Sequence, residues 1–89
     1  MTFSAYDSNG YLGDVASIGG WTAFAKWAAP QGYDVTELIR QGHSADPRAV
    51  ALQLNGMHSE DPDVESVRKT LFDLAQKAEE LLIVSEGEG

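Results

Sequence analysis

Cysteine is absent from this sequence, so neither disulfides nor thiolate metal ligands are available to it. Bases are scarce: six Lys and Arg stand against fourteen Asp and Glu, for a net charge of −8 at pH 7. Phosphate recognition needs clustered cations, so direct binding to nucleic acid or to an anionic membrane is not expected. No apolar run approaches the roughly 20 residues that a bilayer-crossing helix requires. Residues 1–20 contain neither Lys nor Arg nor a long apolar run, so no secretory leader is expected there. The cytoplasm is the expected compartment by default. Gly10, Gly13, Gly19 and Gly20 lack phosphate-loop spacing, and no lysine closes such a pattern.

What is present is enough for one small folded domain. The chain has 89 residues, too few for two independent cores, and 43% hydrophobic content argues against intrinsic disorder. Residues 1–89 are therefore read as a single acidic domain. It divides into an irregular or hairpin segment (1–18), a helical span (19–82), a short strand (82–85) and a flexible acidic tail (86–89).

The longest organised stretch runs from Ser59 to Ser85. Asp61 is a good N-cap, Pro62 suits the first helical position, and Asp63 and Glu65 favour the positive end of the helix dipole. Val64, Val67, Leu71, Leu74, Ala78 and Leu81 recur at steps of three and four, within an arc of roughly 120°. Glu65 with Lys69, and Asp73 with Lys77, are expected to pair across one turn on the other face. Leu82-Ile83-Val84 favours β structure and needs a hydrogen-bonding partner, for which the N-terminal segment is the best candidate.

Upstream, Asn9-Gly10 predicts a hairpin between Phe3–Ser8 and Tyr11–Val15, although Gly13 and Asp14 weaken the second arm. A helix is predicted from Trp21 to the Pro30 region, presenting Trp21, Phe24, Ala25 and Ala28 on one face. Asp34 and Glu37 form a capping-box pattern for a short helix through Arg40. Asp46-Pro47 starts a further helix that ends at Asn55-Gly56, with Val50, Ala51 and Leu54 inward. The expected fold is mostly α: four unequal helices packed on the long C-terminal one, with a minor β element joining N- and C-terminal segments.

The sequence holds one near-repeat, His43-Ser44-Ala45-Asp46-Pro47 and His58-Ser59-Glu60-Asp61-Pro62. Its residue types suggest a metal site or a Ser-His-Asp arrangement. The two copies, however, flank a helix about 13 Å long, so one ion cannot be held from both ends. A reused turn-and-cap signal is the simpler reading. Asp7-Ser8-Asn9-Gly10 falls short of a calcium loop, because the first and last ligand positions are Ala5 and Ala16. No catalytic residue, metal site or cofactor is assigned.

The remaining anomalies lie off the apolar faces. Trp27 falls about 120° from Trp21, and Phe72 about 60° outside the arc of the long helix, with Arg68 between and Glu79 on the same strip. Aromatics with Arg are typical of interface hot spots. Trp27, Arg68, Phe72 and Glu79 are thus the candidate interface of a non-catalytic accessory or regulatory protein, acting on a protein partner or by self-association. The alternative is an acidic inhibitor, immunity-type protein or nucleic-acid mimic that presents Glu60, Asp61, Asp63, Glu79, Glu80, Glu86 and Glu88 to a basic surface. A metal-dependent enzyme is the weakest of the three readings.

Overall fold

In the computed structural model, which describes residues 2–39 and 45–86, the chain begins with two strands, β1 (Thr2–Asp7) and β2 (Gly10–Ser17). Helix α1 (Ile18–Ala28) follows and continues as a 3-10 turn over Ala29–Gln31; a second 3-10 segment covers Val35–Ile39. Then come α2 (Pro47–Asn55), α3 (Pro62–Lys77) and β3 (Leu82–Glu86). Three α-helices stand beside a three-stranded antiparallel sheet of order β2-β1-β3. The expected array of four helices on a long C-terminal one is therefore corrected to a mixed α/β domain.

Local chemistry accounts for each part of that correction. Val35–Ile39 winds as a 3-10 segment, with Asp34 capping it by accepting from the Thr36 backbone N–H; Arg40, the expected end of this helix, lies outside the described residues. The β element is larger than the hairpin signal suggested because β1 pairs on both edges, with β2 and with β3. β2 runs through Gly13 and Asp14. A Cβ at Gly13 would stand 3.3 Å from Leu74 Cδ2, so the missing side chain lets the strand lie close to α3. Two register shifts in the β1–β2 pairing accommodate the extra residues Leu12 and Val15. The turn itself is Ser8–Asn9, held by Asn9 N–H donating to Asp7 Oδ1, and Gly10 follows with φ of 122°.

The helices start where the caps dictate. Ser17 Oγ accepts from Gly20 N–H, which places Gly19 and Gly20 inside the first turn of α1 rather than before it. Asp46 and Asp61 accept from the backbone N–H groups of Arg48 and Asp63, each with Pro at the first position. Helix α3 ends at Lys77, one turn before the apolar pattern does. Glu79 and Glu80 would sit unfavourably at the negative end of its dipole, whereas Lys77 suits it. Leu81 is released from the helix and instead exchanges backbone hydrogen bonds with Ala45.

One core lies between the sheet and the helices. It takes Phe3, Ala5 and Ile83 from β1 and β3, Trp21, Phe24 and Ala28 from α1, and Val64, Val67, Leu71, Leu74 and Ala75 from α3. Val50 and Leu54 close it from α2. Ring contacts run Phe3–Trp21 at 5.2 Å, Trp21–Phe24 at 5.6 Å and Phe24–Trp27 at 6.0 Å between centroids. Helices α2 and α3 run antiparallel: Leu54 meets Arg68 at one end, and Asp46–Arg48 lie beside Ala78–Glu79 at the other. No helix among the described residues is long and apolar enough to cross a membrane.

Candidate functional site

The antiparallel packing of α2 on α3 leaves a shallow groove on its outer side. Ala51, Leu52 and Asn55 from α2 and Phe72, Ala75 and Gln76 from α3 border an open hollow of about 590 Å³. Arg48 stands at its end nearest the start of α2, where a second hollow is bordered by Asp46, Ala78 and Glu79. Leu52 is the most exposed large apolar side chain described, at 77%. Phe72 is half-buried and packs against the core from its edge. The groove thus joins an apolar stretch with a protruding leucine to a polar end that carries Asp46, Arg48 and Glu79.

The interface residues expected from the sequence do not stay together. Phe72 borders the groove and Glu79 the second hollow, and the two hollows share Arg48 and Ala78. Trp27 lies on α1, half-buried against Phe24, and does not border the groove. Arg68 is turned inward and only 7% exposed. Its Nε and Nη2 donate to the two carboxylate oxygens of Glu65 at 2.7 and 2.6 Å, while Nη1 donates to the Leu54 carbonyl at 3.0 Å. The Leu54 carbonyl, in the last turn of α2, also accepts from Met57 N–H at 3.1 Å. Arg68 is thus a second donor to it and ties the two helices together.

Glu65 is therefore paired with Arg68, not with Lys69 as its spacing predicted. It also accepts from Ser59 N–H at 3.2 Å, and His58 Nδ1 lies 3.8 Å from its second oxygen. The hydrogen bonds from Arg68 pull its carboxyl down to about 2 from an ordinary 4.5. The α2–α3 loop is fixed to α3 through the same carboxylate. This cluster clamps α2 and the α2–α3 loop to α3.

The acidic candidates also separate. Glu60, Asp61 and Asp63 are exposed at the start of α3, and Glu79 and Glu80 beyond its end. The sixteen residues of α3 hold these two groups apart by about 24 Å at 1.5 Å per residue. Asp61 is in addition occupied as a cap. Glu88 and the side chain of Glu86 lie outside the described residues, as do His43 and Ser44 of the near-repeat. Its second copy is turn chemistry: Ser59 Oγ accepts from Asp61 N–H. Among the described residues no three His, Asp or Glu side chains gather as a metal site would require.

Two features escaped sequence reasoning. Leu52 stands opposite Val50 and Leu54 on the α2 wheel, so a lone large apolar residue on the polar side of a short helix was the available signal. The other is a polar cluster on the sheet, where Asp14 Oδ1 accepts from the Tyr11 hydroxyl at 2.7 Å and the Ser4 hydroxyl at 2.9 Å. The Tyr11 hydrogen bond, then that of Ser4, holds the Asp14 carboxyl below the usual carboxylate range. Both hydroxyls share one acceptor, and a carboxylate held below its usual range is a weak base. Comparison with protein-family models, curated proteins and solved structures returns no match.

Proposed function

We propose that this chain is a non-catalytic accessory protein that works by binding protein through the α2/α3 groove. The observation that supports it is Leu52, 77% exposed beside a hollow floored by Phe72, Ala51 and Ala75. Removing such a leucine from water contributes about 1.5–3 kcal/mol, which is hot-spot magnitude. The clamp beneath supplies rigidity: Arg68 fixes the end of α2, so the groove is formed before a partner arrives. Phe72 and Leu52 act as apolar anchors, while Arg48 and Glu79 supply the polar rim.

A photo-reactive group placed at position 52, with exposed Thr36 as the control position, tests this in an extract of the native host. Adducts at 52 that vanish in a folded Phe72→Glu variant are the expected result. Equal labelling at both positions, or adducts indifferent to Phe72→Glu, contradicts the groove as contact face.

A further inference from the structure

We infer that the occupant of the α2/α3 groove is a second copy of this chain, docked about a two-fold axis with the two α3 helices antiparallel; this rests on the groove being the contact face. Three observations carry it. First, the patch holds both halves of a fit: Leu52 projects at 77% exposure directly beside the hollow that Phe72 and Ala75 floor. A two-fold contact requires that residue i meet j while j meets i, so a knob and a hole on one patch satisfy each other twice.

Second, the groove border is near neutral although the chain as a whole carries −8. Arg48 stands there against Asp46 and Glu79, one base against two acids. Elsewhere the excess of acids is larger, and two copies would repel more strongly. This face is where they can approach.

Third, the signs are segregated along the groove. On the α3 wheel Lys69 falls about 20° from Gln76, on the groove side, towards the end where Leu54 meets Arg68. Glu79 stands at the opposite end, roughly 12–15 Å away along the helix and its exit. That separation prevents the two from pairing within one chain. Antiparallel docking brings Lys69 of each copy to Glu79 of the other, with Phe72 and Gln76 near the axis. Faces of two short helices make a small interface, so the dimer is weak, with Kd on the order of 100 µM.

Sedimentation equilibrium from about 10 µM to about 1 mM measures it directly. The expected result is a monomer–dimer equilibrium that Leu52→Asp weakens at least about tenfold. Lys69→Glu and Glu79→Lys each weaken it about threefold to tenfold, and the double reversal restores it. Failure of the double reversal to restore association overturns the antiparallel arrangement. A monomer at every concentration overturns the second copy as occupant. If position 52 still labels another protein in extract, that outcome leaves the groove reading intact; if it labels nothing, both fall. Unchanged urea midpoints of the surface variants show that folding is not what was measured.

Discussion

The two ends of the α2–α3 contact use similar residues for opposite purposes. At one end an arginine, a glutamate and a helix-terminal carbonyl close on each other, and Arg68 is 7% exposed. Along the rest, Leu52 and Phe72 face an open hollow with Arg48 and Glu79 at its limit. Arg68 and Phe72 are only four residues apart on one helix, yet the first is consumed by the fold and the second borders what the fold leaves open. Residue type therefore does not separate clamp from open groove. What separates them is whether a backbone acceptor from another element lies within reach.

The largest effect should come from the buried side of α2. Leu54 is fully buried, so Leu54→Ala should cost about 3 kcal/mol in urea unfolding, whereas Leu52→Ala, two residues away, should stay within about 0.5 kcal/mol. A comparable loss at both positions would erase the distinction between the two sides. Next, Glu65→Gln should cost about 2 kcal/mol at neutral pH, because Arg68 stays buried with a weaker acceptor. Its pH dependence has a definite sign. The folded Glu65 carboxyl lies near 2 against 4.5 ordinarily, so its stabilisation is complete above about pH 5 and fades as pH falls towards 2. Urea midpoints of the native chain and Glu65→Gln should therefore converge on acidification; a gap that stays constant down to pH 2 would show that charge is not the cause.

The smallest effect concerns Tyr33, whose buried hydroxyl has no hydrogen-bond partner among the described residues and whose pKa burial pushes up to about 12. Tyr33→Phe should be neutral or stabilising by up to about 1 kcal/mol in the same unfolding measurement. A clear destabilisation would mean that the hydroxyl is satisfied in solution.

Much of this was legible in the sequence, for local reasons. Asp46-Pro47 and Asp61-Pro62 start helices where cap chemistry says they must, and Leu82–Val84 finds the N-terminal segment it needed. Illegible features depend on tertiary distance. That Arg68 would reach Leu54, fourteen positions away, cannot be read from helical spacing, and that contact overrode the expected Glu65–Lys69 pair. Gly13 and Asp14 read as weakening the second arm because their partners, Leu74 and the Ser4 and Tyr11 hydroxyls, come from a packing that spacing does not encode. Leu52 was readable on the α2 wheel, but a nine-residue helix gives its pattern little weight.

The central claim is that the clamp end is closed and the groove end is the surface at which copies of this chain meet. Backbone amide NMR shifts followed on dilution from about 1 mM test it at both ends at once. The account predicts concentration-dependent shifts at residues 48–55 and 69–79, centred on Leu52, Phe72 and Gln76, with the β1–β2 sheet face unmoved. Spectra that do not change on dilution, or changes that centre on Tyr6 and Tyr11 instead, would contradict it.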